Sequence, residues 1–175
     1  MAIVPCRECK KDVSTDARHC PHCGAPDPSL PAARGTGFEW KSKTTVYGFP
    51  LVHVAFGRDA RGRLRVAKGV IAVGQFGIGL VTVAQFGLGL LFGFGQFIAG
   101  FTAVAQVAVT LAVGIGQFAT GYVAVGQFVM SYYGLAQVGA ARHLWSTTHK
   151  DPEAVAFFSE WLDKIGIGAK ALRNR

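Results

Sequence analysis

The sequence predicts a mainly β protein in which a short cysteine-rich module precedes a single-stranded β-solenoid, followed by a C-terminal amphipathic helix. Three observations carry this prediction. All four cysteines lie within the first 23 residues, residues 69–141 contain no charged side chain, and glutamine recurs through that stretch every 10 or 11 residues. Such fixed self-similarity is typical of repeat architectures.

Composition and charge narrow the classes of partner. Half of the 175 residues are hydrophobic and 16% are charged, against about 25% in an ordinary soluble domain. The net charge of +8 favours anionic partners such as phospholipid surfaces or nucleic acid. The first residues lack the basic start and apolar core of a secretory signal, and the cysteines form CxxC pairs. We therefore expect a cytoplasmic protein, with the inner face of the membrane as a further location.

Residues 1–24 are predicted to be a zinc ribbon. Two CxxC pairs, separated by ten residues, place Cys6, Cys9, Cys20 and Cys23 where each pair can present two thiolates to one ion. Zinc prefers four such ligands in a tetrahedron, and a closed shell of this kind is structural. A redox CxxC pair is the alternative. It is disfavoured because a redox centre needs only one such pair and because the sequence around the cysteines lacks a βαβ pattern. The segment resembles the short zinc ribbons that begin many bacterial proteins of varied function.

A linker is predicted over residues 25–37. A set of leading strands is predicted over residues 38–68. The linker contains three prolines in six residues and then two glycines. The leading strands flank a polar turn that gathers five cations: Arg58, Arg61, Arg63, Arg65 and Lys68. This cluster is either a solvated hairpin tip that discourages edge-to-edge aggregation or a docking patch for an anionic partner.

Residues 69–141 form a repeat of seven matching segments. Each segment has a glutamine after glycine or alanine and before phenylalanine or valine. The glutamines are Gln75, Gln85, Gln96, Gln106, Gln117, Gln127 and Gln137. In a β-solenoid such residues stack about 4.8 Å apart, so we expect the glutamines to form an amide ladder and the Phe and Val side chains to fill the interior. Two segments per coil give about 21 residues per coil and about three and a half coils.

Three transmembrane helices are the alternative for the same stretch. Its 73 residues exceed three spans of about 20 residues, and basic residues flank both ends. Against this, no polar loop interrupts the stretch, and a glutamine in every segment is costly in lipid.

The predicted solenoid resembles bactofilins, which are bacterial cytoskeletal proteins with a β-helical core. The resemblance is one of architecture, covers roughly residues 45–141, and involves neither the ribbon nor the glutamine repeat. It implies a core that polymerises end to end.

Residues 142–175 are predicted to form a capping helix and a basic tail. Asp151, Pro152 and Glu153 make a helix start, and Gly166 a helix stop. The apolar residues between them recur at helical spacing, so the helix is expected to cap the last coil or to cover one face of the solenoid.

No set of nucleophile, base and orienting group can be assembled from the sequence, so we expect a protein that is not an enzyme. The expected function is a self-assembling structural scaffold, either a filament or an oligomer subunit, whose ribbon recruits a protein partner. An integral or peripheral membrane protein with a cytoplasmic ribbon is the first alternative. A nucleic-acid adaptor is the second alternative and is disfavoured, since no aromatic residues interleave with the basic ones.

Overall fold

The computed structural model describes residues 2–29, 36–164 and 166. Its described part is mainly β, with one helix near the C terminus. The chain divides into two compact units. The first comprises Met1–Phe38 and Gly57–Arg65, and the second comprises Glu39–Phe56 and Val66–Arg175.

The first unit contains a small antiparallel hairpin. Strand β1 (Ile3–Pro5) pairs with strand β2 (Asp12–Ser14), with Val4 opposite Val13. The buried side chains beneath it are Val13 and two of the cysteines, so the apolar core is very small. A backbone hydrogen bond from the N–H of Arg7 to Pro28 O (3.0 Å) holds the first residues of the predicted linker against this hairpin. Residues 30–35 of that linker lie outside the described residues.

Four short strands precede the repeat: β3 (Phe38–Lys41), β4 (Thr45–Val46), β5 (Phe49–Pro50) and β6 (Val52–Phe56). Strands β4 and β5 form a hairpin with a two-residue turn, and β6 lies between β3 and a long strand, β7 (Val66–Trp145). The pairing of β6 with β7 is parallel, from Val52 opposite Ile71 to Ala55 opposite Gly74. Strand β6 therefore lies beside the first segment of the repeat.

Strand β7 comprises 80 residues and turns back on itself repeatedly. The ring of Phe86 stacks on that of Phe76 at 5.6 Å and on that of Phe97 at 6.3 Å between centroids. Further along, the backbone N–H of Thr110 donates to Oγ1 of Thr120 at 3.1 Å. Equivalent positions of successive segments therefore lie side by side, 10 or 11 residues apart.

Residues five apart in the sequence are also in contact within β7. A Cβ added to Gly77 would lie 2.8 Å from Cγ2 of Thr82, and one added to Gly93 would collide with Cγ2 of Ile98. Residues five apart thus face each other, whereas residues 10 or 11 apart stack. This spacing differs from the predicted 21 residues per coil, because one segment, and not two, separates stacked neighbours.

The inside of β7 is filled by small residues, which differs from the predicted filling by Phe and Val. The buried residues on this side are mainly alanine, glycine and threonine, joined by Ile98 and Val129. With facing residues only five apart, the space between the two backbones is narrow. A larger side chain such as Ile98 fits because Gly93 stands opposite it.

The alternative of three transmembrane helices is not borne out. Residues 66–145, which contain the whole repeat, are extended strand. Among the described residues, no helix is long and apolar enough to cross a membrane.

Helix α1 (Pro152–Lys164) confirms the predicted helix start. Oδ1 of Asp151 accepts hydrogen bonds from the N–H groups of Glu153 (2.9 Å) and Ala154 (3.2 Å), as an N-cap does. The helix packs on one face of the last segments of β7. The contacting cluster consists of Trp145, Ala154 and Phe158 with Val123, Val125, Tyr133, Leu135, Val155 and Phe157. Ile165, the last residue of the predicted apolar stripe, lies outside the described residues.

Candidate functional site

The two CxxC turns of the first unit have matching backbone geometry. In the first turn the N–H of Cys6 donates to Lys11 O at 2.8 Å, and in the second the N–H of Cys20 donates to Ala25 O at 2.8 Å. The residue after each pair adopts a positive φ, with Lys10 at 62° and Gly24 at 74°. Each turn therefore points its two sulfurs in one direction, as a metal-binding knuckle requires.

The four sulfurs form one cluster. All four Sγ atoms lie within 4.8 Å of one another. Cys6 Sγ lies 3.8 Å from Cys23 Sγ, and Cys9 Sγ lies 3.7 Å from Cys20 Sγ. A tetrahedron with metal–sulfur bonds of about 2.3 Å has edges of about 3.8 Å. The donor set and its spacing therefore fit one tetrahedral metal ion, as the sequence predicted for these four residues.

The electrostatics of the cluster also call for a cation. The backbone N–H of Cys9, followed by that of Glu8, lowers the pKa of the Cys6 thiol to about 6. At Cys23 the N–H of Ala25 acts in the same direction, but lost hydration and the three neighbouring sulfurs raise the pKa to about 12. The neighbouring sulfurs thus oppose ionisation of Cys23, and a cation among the four sulfurs would favour its thiolate form.

The predicted glutamines lie in β7, where equivalent positions of successive segments are side by side. A Cβ on Gly95 would collide with the carbonyl oxygen of Ala84, and one on Gly126 with that of Gly116. These residues immediately precede glutamines, so glutamines of successive segments occupy adjacent rungs. Gln75 is half-buried and the six later glutamines are exposed. The amide ladder itself stays a prediction.

The basic turn is held together by hydrogen bonds and an ion pair among its own residues. Asp59 accepts from the N–H groups of Arg61 and Arg63 at 2.9 Å each and pairs with Nε of Arg63 at 3.0 Å. These donors, chiefly the Arg63 N–H, lower the pKa of Asp59. One guanidinium nitrogen of Arg58 donates to Gly62 O at 2.7 Å. Lys68 belongs to the second unit, so the predicted docking set does not fall within one compact body. A role in anion docking stays a prediction.

The outer surface of the repeat is strongly apolar. Large side chains point away from the small-residue interior along its whole length. Those that are exposed include Ile78, Leu80, Val83, Phe86, Leu88, Leu90, Leu91, Phe92, Phe94, Phe97, Phe101, Val109, Leu111, Tyr122, Phe128, Met130, Tyr132 and Val138. Within each segment large and small residues alternate, but both sets are apolar, so the sequence did not say which set faces inward.

Two histidines make polar contacts near the two ends of the second unit. His53 is buried, accepts from the N–H of Lys68 at Nδ1 (2.8 Å), and has Nε2 3.3 Å from Glu39 Oε1. His143 has Nδ1 3.3 Å from Asp151 Oδ1 and Nε2 3.2 Å from Glu153 Oε2. Neither histidine lies beside a nucleophile in these contacts, and both connect strands or a helix start to the repeat.

Comparison with known proteins gives no family. No protein-family model matches the sequence, and no curated protein or solved structure is significantly similar to it. The candidate sites are therefore judged on their own geometry.

Proposed function

We propose that this protein is a non-enzymatic structural scaffold in which a zinc-stabilised ribbon is joined to a β-solenoid that assembles side by side with other copies. The observation that carries the proposal is the outward orientation of the large apolar side chains of the repeat. Monomeric soluble proteins rarely expose contiguous apolar patches of more than a few hundred Å². Such a surface is expected to be covered by other protein or by lipid.

Zinc is the metal that best suits the four-cysteine cluster. It binds thiolates tetrahedrally, and a full shell of four protein ligands leaves no open position for a substrate. The core beneath β1 and β2 is too small to stabilise the module alone, so the ion contributes folding free energy. We assign the ribbon a recruiting role, in which its fixed surface binds a protein partner.

A solenoid with one segment per coil accounts for the contacts within β7. Residues five apart face each other, residues 10 or 11 apart stack, and β6 supplies one more parallel rung before the repeat. The narrow coil explains why the small residues of each segment are inside and the large ones outside. Seven segments give about seven such coils, or roughly 34 Å at the usual strand spacing.

The ends of the repeat favour assembly through its sides. At the first end, β3 covers β6 and carries Glu39 and Lys41, which form an ion pair at 2.8 Å. At the other end, charge resumes at Arg142, within the last part of β7. Charged edge strands discourage end-to-end strand pairing. The mode proposed here therefore differs from the end-to-end polymers implied by the bactofilin resemblance.

Sedimentation velocity of the full chain over a concentration series in detergent-free buffer tests this assembly. We expect oligomers whose population grows with concentration. Phe94→Lys, at an exposed site on the repeat, should weaken the association at least tenfold. Thr147→Lys adds the same charge at an exposed site outside the repeat and is the matched control. A monomer at all concentrations, or equal effects of the two variants, would contradict side-by-side assembly.

Membrane association is a second candidate, favoured by the hairpin of β4 and β5. Its turn residue Tyr47 is 99% exposed and Phe49 is also exposed. Exposed aromatic residues on a protein with net charge +8 suit an anionic membrane interface. Flotation with vesicles tests this membrane association directly. Binding that requires anionic lipid and is lost in the double variant Tyr47→Ser/Phe49→Ser would support it. A protein that does not float with the vesicles would exclude it.

A further inference from the structure

The second unit contains an apolar cavity beneath the hairpin of β4 and β5. Its volume is about 320 Å³, within the range of small-molecule pockets. The hairpin contributes Val46, Tyr47 and Phe49, while the start of β7 contributes the floor. The remaining lining residues are Lys68, Gly69, Val70, Ile78, Gly79, Leu80 and Leu90. The cavity thus lies where the hairpin overhangs the exposed apolar rows of the repeat.

Backbone features hold the hairpin in that place. Gly69 lets β5 approach β7 closely, because a Cβ there would lie 2.8 Å from the carbonyl oxygen of Pro50. The N–H of Leu51 donates to Thr44 O at 2.9 Å and closes the base of the hairpin. At the tip, Tyr47 (φ 49°) and Gly48 (φ 81°) both adopt the positive φ that a two-residue hairpin turn requires.

The chemistry of the lining defines what the cavity can bind. All of its lining side chains are apolar except those of Lys68 and Tyr47, and Lys68 is its only cation. An aliphatic chain would pack against the apolar walls. An anionic head group would pair with the ammonium group of Lys68. We propose that this cavity binds one fatty carboxylate, with its alkyl chain between the hairpin and the repeat and its carboxylate at Lys68.

The size of the cavity sets the preferred chain length. A methylene group displaces about as much volume as a water molecule, ~30 Å³, so the cavity holds about ten of them. Each buried methylene should strengthen binding roughly fourfold until the cavity is full. The dissociation constant should therefore fall steeply up to chains of about ten to twelve carbons and then level off, whereas adsorption to an open apolar surface would strengthen with every added carbon.

Photolabelling of the full chain with a twelve-carbon fatty acid that carries a diazirine near its methyl end tests the proposal. We expect saturable labelling with one ligand per chain, mapped by peptide mass spectrometry to the lining residues of the hairpin and of residues 78–90. Dodecanoate should compete for the label. Leu80→Trp, which fills the cavity, should reduce labelling at least tenfold, whereas Leu111→Trp, at an exposed position that does not line the cavity, should leave it unchanged.

A second comparison tests the role of the charge. Lys68→Met keeps the stem of the side chain and should weaken dodecanoate binding up to about fivefold, as expected for an exposed ion pair. The affinity for the neutral alcohol dodecanol should be the same in both proteins. Labels spread along the whole repeat without saturation, or equal effects of Leu80→Trp and Leu111→Trp, would overturn the proposal and identify non-specific adsorption. Labelling that appears only with bilayer vesicles would assign the hairpin to membrane contact instead.

Discussion

The pairing of Gly93 with Ile98 offers the sharpest test of how the repeat is packed. Ile98 is fully buried, and its Cγ2 occupies the space that a Cβ on Gly93 would need. Ile98→Ala should destabilise the fold by about 2–5 kcal/mol, because it removes a buried side chain and leaves a cavity. Gly93→Ala should cost about 1–3 kcal/mol through overpacking. In the double variant the new methyl group enters the space that the isoleucine vacates, so its cost should be smaller than the sum by about 1–3 kcal/mol.

Urea denaturation followed by circular dichroism measures all three costs. Leu111→Ala is the matched control, since Leu111 is 77% exposed and its truncation should change the free energy of unfolding by no more than about 0.5 kcal/mol. Additive costs of the two substitutions, within about 0.5 kcal/mol, would show that the residues do not face each other. A control that costs as much as Ile98→Ala would refute the outward placement of the large side chains.

Three further predictions concern the metal, the helix and the close-packed glycines. The purified chain should contain one equivalent of zinc by elemental analysis, and Cys9→Ser should lose it together with the folded signals of the ribbon in NMR spectra. Zinc should also be released as the pH falls, because protons compete for the thiolates. Asp151→Ala should destabilise α1 by about 1 kcal/mol. The lowered pKa of Asp151, caused chiefly by the Ala154 N–H, means that this contribution is present above a pH of about 4 and lost as the pH falls further, which acid titration of helical circular dichroism would show. Gly95→Ala should lower the melting temperature by several degrees in a thermal scan, since its Cβ would collide with the backbone of the preceding rung.

Parts of the structure that depend on local chemistry could be predicted from the sequence. The cysteine spacing indicated the four-sulfur cluster, because two CxxC turns leave little choice of partner. The order Asp151, Pro152, Glu153 indicated the start of α1, because an N-cap is satisfied within three residues. The regular glutamine spacing indicated that equivalent positions stack.

The coil length and the direction of the side chains could not be predicted in the same way. Both alternating sets of the repeat are apolar, so hydrophobicity alone does not distinguish inside from outside. The choice is made by the width of the interior, which depends on how many residues complete one turn. Once Gly93 stands five residues from Ile98 across the interior, only small residues fit there, and the phenylalanines must face outward. The hairpin cavity was missed for a similar reason, since it depends on where β5 lies over the repeat.

Disulfide formation between paired cysteines on the repeat tests the central claim of one segment per coil most directly. In metal-loaded protein, Gln117→Cys/Gln127→Cys places two cysteines on adjacent rungs whose backbones are about 4.8 Å apart, within the range that a disulfide bridges. Gln106→Cys/Gln127→Cys, at positions 21 residues apart, places them two rungs apart with backbones about 9.6 Å apart, which is too far. We predict an intramolecular disulfide in the first pair and none in the second. A disulfide in the second pair and none in the first would instead support 21 residues per coil and contradict one segment per coil.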